Sequence, residues 1–174
     1  YLQRYAFGTH SDFLRMLIRN PSMGLFQDNI ENRANCDVCQ LNENFARELL
    51  QLFTVGVSQL NMDGTVIRDS QGRPKEAFSQ SDVRNLTRAL TGWVYDNAHV
   101  VQIANFGANN AGYDKLMIPT RAWHDQGPKV ILGSVLPAGQ TAEQDLDMVV
   151  SILANHPNAG PFLSRRLIQS LVSS

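Results

Sequence analysis

The chain carries no excess of either charge. Its 15 Lys and Arg residues nearly cancel 16 Asp and Glu residues, for a formal charge of −1. No basic run or stripe is present, which argues against a nucleic-acid partner. Long hydrophobic runs are missing as well. No apolar stretch approaches the ~20 residues that a membrane-spanning helix needs, and no signal-peptide pattern opens the sequence. Cysteine is scarce, with 2 in 174 residues, too few for a disulfide framework. The familiar catalytic signatures are absent: there is no G-x-S-x-G elbow, no H-E-x-x-H helix and no P-loop. His10, His99, His124 and His156 are scattered without the H-x3–5-H spacing of a zinc site. No cofactor is therefore expected, and a divalent metal stays open only through a weak N/O ligand set.

What is present is ordinary globular material, 43% apolar, in a chain long enough for one domain with a real core. The most regular stretch runs from Asn42 to Val55. On a helical wheel Glu43, Asn44, Arg47, Glu48, Gln51 and Thr54 share one arc, and Phe45, Ala46, Leu49, Leu50, Leu52 and Phe53 fill the other. Asn42 suits an N-cap, Gly56 suits the C′ position, and Glu43 to Arg47 is a favourably oriented i,i+4 pair. Spacing alone predicts an amphipathic helix with a solvated polar face.

Around it the chain reads as further helices. Ser11 to Arg19 carries Phe13, Leu14, Leu17 and Ile18 on one face, and Asn20-Pro21 ends it and opens a short helical turn. Ser79 with Asp82 is a weaker capping box, and Thr141 with Gln144 a full one. The helices they open carry Val83, Leu86 and Leu90, and Leu146, Val149, Val150 and Leu153. Gly160-Pro161 opens the last helix, with Phe162, Leu163, Leu167, Ile168 and Leu171 facing inward. Trp93, just after Gly92, reads as a core plug more readily than as a stacking platform. Turn signals at 61–64 and 69–72 flank Thr65-Val66-Ile67-Arg68 and predict a small β-hairpin. A calcium loop there would lack both end carboxylates, because Gln59 and Ser70 occupy those places. Gly133 and Pro137-Ala138-Gly139 predict a second hairpin around Ser134-Val135-Leu136. No internal repeat is evident. The expected fold is mainly α, a multi-helix single domain over 1–174 with two small inserted β-hairpins.

Cys36 and Cys39 lie in a polar loop with C-x-x-C spacing. A redox pair, half a zinc site and two free thiols all remain open. A local disulfide in an exported protein is the simplest reading.

The run Asn42-Glu43-Asn44-Phe45-Ala46-Arg47-Glu48-Leu49, followed by Leu52-Phe53-Thr54-Val55-Gly56, resembles the signature of the DUF1800 family of bacterial proteins. Later landmarks agree in order: Asp82-Val83, Ala89-Leu90-Thr91-Gly92-Trp93, His124-Asp125-Gln126-Gly127-Pro128-Lys129 with Ile131-Leu132-Gly133, and His156-Pro157-Asn158 with Pro161-Phe162. Members of that family are uncharacterised and typically longer, so the resemblance implies a middle-to-C-terminal piece of a longer protein. A missing N-terminal part of that protein would then be a candidate partner; no other partner is legible. Many members are exported, often with a twin-arginine-type signal, which implies an extracytoplasmic location and suits a Cys36–Cys39 disulfide.

The resemblance also implies that Asn42, Glu43, Asn44, Arg47, Glu48, His124, Asp125 and Lys129 are specified by identity. A fixed polar network or a site would explain that better than a solvated face. Two functions follow as expectations. The first is a binding or scaffolding domain whose motif residues clamp the His124 turn onto the helix at 42–55. The alternative is an extracytoplasmic hydrolase, acid/base or metal-assisted. In it Glu43 or Glu48 is the general base, His124 the acid or base, and Asp125 its orienting partner; His124 and Asp125 are the weak metal ligands.

Overall fold

The computed structural model describes residues 7–34, 40–96 and 115–172. Cys36 and Cys39, and with them every reading of the C-x-x-C pair, lie outside these residues. The chain is mainly helical, with two small antiparallel two-stranded sheets.

Local signals place most of the helices. Helix α1 (His10–Arg19) starts at a capping box in which Thr9 and Asp12 bond each other's backbone N–H groups. It buries Leu14, Met16, Leu17 and Ile18. The Asn20 side chain accepts from Ser22 and Met23 and starts α2 (Pro21–Phe26), with proline in the first turn. Helix α3 (Asn44–Glu48) passes directly into a π-helical turn, Leu49–Thr54. Helices α4 (Gln80–Ala89) and α5 (Ala142–Ala154) open at the Ser79/Asp82 and Thr141/Gln144 capping boxes.

The π turn corrects the wheel drawn for 42–55. Val55 N–H donates to the Leu50 carbonyl, an i to i−5 bond, and the Thr54 hydroxyl donates to the Leu49 carbonyl at 2.8 Å. One residue more per turn rotates everything beyond Leu49. Thr54, placed on the polar arc by a 3.6-residue period, is buried, and Leu52, placed on the apolar arc, is exposed.

Residues 56–77 depart from the expected single hairpin. The three segments around Gln59, Ile67 and Lys75 form a closed ring of hydrogen bonds. Gln59 N–H donates to the Lys75 carbonyl, Lys75 N–H to that of Ile67, and Ile67 N–H to that of Gln59, each at 2.9 Å. The antiparallel bridges Leu60–Val66, Arg68–Pro74 and Ser58–Glu76 close the same triangle. The ring has an eight-residue period marked by left-handed glycines at 56, 64 and 72. It is a short internal repeat that the dissimilar side chains conceal. Pairing each segment with both others leaves no open strand edge.

Strands β1 (Trp93–Val94) and β2 (Ile118–Pro119) pair with each other. Strands β3 (Lys129–Ile131) and β4 (Ser134–Leu136) form the hairpin read from the sequence around Gly133. Leu132 and Gly133 both take positive φ in its two-residue turn, as a hairpin of this twist requires.

A single apolar core joins α1, α3, α4, α5 and β3, with Phe45, Leu49, Leu86, Trp93, Ile131 and Val149 fully enclosed. Trp93 is a core plug, with the Arg19 guanidinium 5.6 Å from its ring centroid. The last helix, α6 (Ala159–Leu171), is buried at its start, at Ala159 and Pro161. Leu167, Ile168 and Leu171 were expected inside but are 58%, 56% and 80% exposed, because the helix runs on past the core.

Candidate functional site

The polar motif residues form two separate groups. The first lies on α3. Glu43 Oε2 accepts from Arg47 at 3.0 Å and from the Gln80 amide at 2.7 Å, and Arg47 also donates to Gln80 Oε1 at 2.9 Å. This knot ties α3 to the start of α4. It is partly solvated, so its worth is at most about 1 kcal/mol. Asn42 Oδ1 accepts from Asn44 N–H, and the Asn44 amide donates to Gln27 beyond α2. Buried Asn32 pairs with both backbone groups of Asn42 and so ties the chain at 32 to the chain at 42. Glu48 makes no hydrogen bond or ion pair among the described residues and has a half-open side chain. Glu48→Gln is therefore expected to change stability by no more than about 0.5 kcal/mol. A thermal melt checks this, and a large loss would reveal a partner for the carboxylate.

The second group surrounds the 124–129 turn and is held by α4 and α5. At the end of α4, Gly92 takes φ +86°, and a Cβ there would lie 2.9 Å from the Thr120 carbonyl oxygen and 3.0 Å from the backbone of His124. Glycine thus lets the turn close onto the helix end. The Thr91 hydroxyl accepts from Asp125 N–H at 2.9 Å and donates to the Arg88 carbonyl at 2.7 Å. Arg88 grips the Asp125 carboxylate with two bonds, Nε at 2.8 Å and Nη2 at 3.0 Å. Burial pushes the Asp125 carboxyl upward, but the bonds from Arg88 and the Gly127 N–H, with the charges of Arg88 and Lys129, hold it below its ordinary value.

Beneath this lies a buried ion cluster. Asp145, on the first turn of α5, meets two basic side chains at one oxygen. Lys129 Nζ is 2.8 Å and His124 Nε2 is 3.1 Å from Asp145 Oδ2. Neither approach has hydrogen-bond geometry, and for Lys129 short-range charge is what joins it to Asp145. Lys129 Nζ also donates to the carbonyls of Asp125 at 2.5 Å and Gly127 at 2.9 Å. His124 Nδ1 lies 3.0 Å from the Thr91 carbonyl, an acceptor, so that nitrogen carries a proton. Burial pushes the Asp145 carboxyl upward. The contacts from His124 and Lys129, the Gln140 amide and the Lys129 charge outweigh burial and leave it below its ordinary value.

The structure therefore joins His124, Asp125 and Lys129 to one another but brings neither Glu43 nor Glu48 to them. No hydrogen bond or ion pair links the α3 group to the 124–129 turn among the described residues. The turn is clamped onto α4 and α5, not onto the helix at 42–55. His124 and Asp125 also bond to different partners, which speaks against a shared metal ion. Among the described residues no group of three or more His, Cys, Asp or Glu side chains is placed to hold one. A 400 Å³ cavity beside α4 is lined instead by Glu76, Ser79, Asp82, Leu132 and His156. Burial pushes the His156 imidazole below its ordinary value against the opposing charge of Asp82. Its Nδ1 accepts from Asn158 N–H, so it reads as a neutral, half-buried ring at the cavity wall.

Sequence reasoning missed Asp145, Arg88 and Asn158. A signal existed for Asp145: it stands four residues before Val149 and so on the buried stripe of an amphipathic helix.

A family model described as a protein of unknown function, DUF1800, matches residues 1–174. No curated protein matches the chain, and no solved structure does.

Proposed function

We propose, from the premise that this chain belongs to the DUF1800 family, that it is a binding and scaffolding domain of an exported bacterial protein. In this reading the 124–129 turn is an architectural clamp. One observation carries it: the side chains of His124, Lys129 and Asp145 are 1%, 0% and 0% exposed. A buried, mutually compensated ion cluster fixes the relative placement of elements, and it offers a substrate no approach. Export rests on the family resemblance and on the Cys36/Cys39 spacing, which suits an oxidising compartment. The hydrolase alternative needs Glu43 or Glu48 to face His124 across a cavity, and no observation favours it.

Chemical accessibility tests the clamp. Diethyl pyrocarbonate applied to the native protein is expected to acylate the half-buried His156 and to spare His124. Peptide mapping by mass spectrometry reads the outcome. Modification of His124 as fast as His156 would show an open site and remove the basis of the clamp reading.

A further inference from the structure

A binding domain needs a face to bind with, and one trough stands out. The hydrogen-bonded ring at 56–77 and helix α6 are held against each other by two devices. The buried Asn158 side chain bonds Val55, Ser58 and Leu60 of the ring entrance. Phe162 packs so closely on Gly56 that a Cβ there would lie 2.4 Å from the aromatic ring. The walls are thus preformed, which lowers the ordering cost of binding.

Between these walls run two concavities of about 810 and 310 Å³. They share Val66, Arg165 and Gln169 and so adjoin each other along one groove face. Its apolar lining comes from Val57, Leu60, Val66, Pro161 and Phe162. Met62 and Ile168, 86% and 56% exposed, stand at its edge. Arg68, Arg165 and Arg166 line it, and none of them is paired with a carboxylate among the described residues. The one acid in its lining, Asp63, accepts from the Thr65 hydroxyl and N–H and is outnumbered by the three arginines. A basic, apolar trough on a chain whose formal charge is −1 is a local charge contrast. Three arginines spread along an apolar lining ask for apolar side chains as well as charge.

We propose that the groove between the ring and α6 docks an acidic, amphipathic polypeptide segment of a partner protein. Apolar side chains of that segment cover Val66, Met62 and Ile168, and its carboxylates meet Arg68, Arg165 and Arg166. The proposal rests on the binding-domain reading above and names the face that does the binding.

The probe is a synthetic helical peptide of about 15 residues with Leu at i, i+3, i+4 and i+7 and Glu on the flanks. Two comparison peptides replace Glu by Lys, or Leu by Ser. Each is titrated into the isotopically labelled chain and followed by amide chemical shifts. The acidic peptide is expected to shift signals from 57–68 and 161–169, and the other two to bind at least about tenfold more weakly. Arg165→Glu/Arg166→Glu should weaken the acidic peptide by at least about tenfold while the melting temperature holds, since both side chains are exposed. Arg68→Glu/Arg166→Glu, which keeps the Arg165 bond to the Gly64 carbonyl and gives up only an exposed one from Arg68 to the Gly72 carbonyl, should do the same. Equal binding of the Lys peptide overturns the acidic partner. Shifts confined to another face overturn the groove and leave the binding-domain reading standing. Silence from all three peptides overturns the groove and withdraws support from that reading too.

Discussion

Asp145→Asn is expected to lower the stability of the folded chain by about 3–5 kcal/mol, the usual cost of breaking a buried ion pair by removing one partner. The substitution keeps volume and shape, removes the charge and replaces one acceptor oxygen with an NH2 donor. Lys129 Nζ then loses the anion 2.8 Å away and remains fully enclosed, bonded to the carbonyls of Asp125 and Gly127 with the more distant Asp125 carboxylate 3.8 Å off. His124 Nε2 loses the carboxylate oxygen 3.1 Å away. For a chain of this length each kcal/mol moves the melting temperature by about 2–4 °C, so a fall on the order of 10 °C should be plain in a calorimetric scan. Asp145→Leu with Lys129→Met should recover much of the loss, because replacing a whole buried pair with apolar groups is often neutral or better. The pH dependence has a definite sign. Asp145 and Asp125 are both held below the ordinary carboxylate value. Each therefore stabilises the fold above its unfolded pKa of about 3.9, and that stability is lost as pH falls further through the folded value. Asp145→Asn should flatten this acid loss in part and leave the contribution of Asp125 in place. A variant that melts within about 2 °C of the parent would mean that the cluster does not hold the turn.

Much of this architecture was legible because its causes are local. Ser79 with Asp82 and Thr141 with Gln144 set helix starts from four residues each, and Gly133 set a hairpin turn. The phase of the 42–55 helix was not legible. Its rotation depends on a π turn supported by one hydroxyl, Thr54 on the Leu49 carbonyl, and a fixed 3.6-residue period cannot see it. The ring at 56–77 stayed hidden for a different reason. Three segments share only their glycines and their hydrogen-bond closure, and neither leaves a side-chain repeat.

The candidate site divides along the same line. His124, Asp125 and Lys129 are close in sequence and were found together. The groups that hold them, Arg88, Thr91 and Asp145, come from helix ends as far as 37 residues from the residue they hold. Wheel geometry put Glu43, Arg47 and Glu48 on one face, and Glu43 and Arg47 do meet. No periodicity could say that the turn would dock on α4 and α5 instead. Long-range pairing of polar groups is chosen by packing, and the packing here is set by apolar residues such as Phe45, Leu86 and Val149.

Asn158→Ala is expected to cost about 3 kcal/mol or more, because one truncation strips partners from three backbone groups. The Asn158 amide donates to the Val55 carbonyl at 2.5 Å and to the Ser58 carbonyl at 2.8 Å, and its Oδ1 accepts Leu60 N–H at 2.6 Å. Val55 is fully buried and gains no water in exchange. Ser58 and Leu60 line the 310 Å³ part of the groove, so water can reach them and soften the penalty. Asn158→Asp separates hydrogen bonding from volume. It preserves shape and the acceptor for Leu60 but turns a second oxygen toward two carbonyls. The aspartate variant should therefore be at least as unstable as the alanine variant, whereas a role in space-filling alone would leave it near the parent. Hydrogen exchange at Leu60 gives the local readout. Its amide should exchange much faster in Asn158→Ala, where no acceptor remains, than in Asn158→Asp, where one does. If alanine proves harmless and aspartate costly, the side chain is merely tolerated between the carbonyls. The ring would then be anchored to α6 by the packing of Phe162 on Gly56.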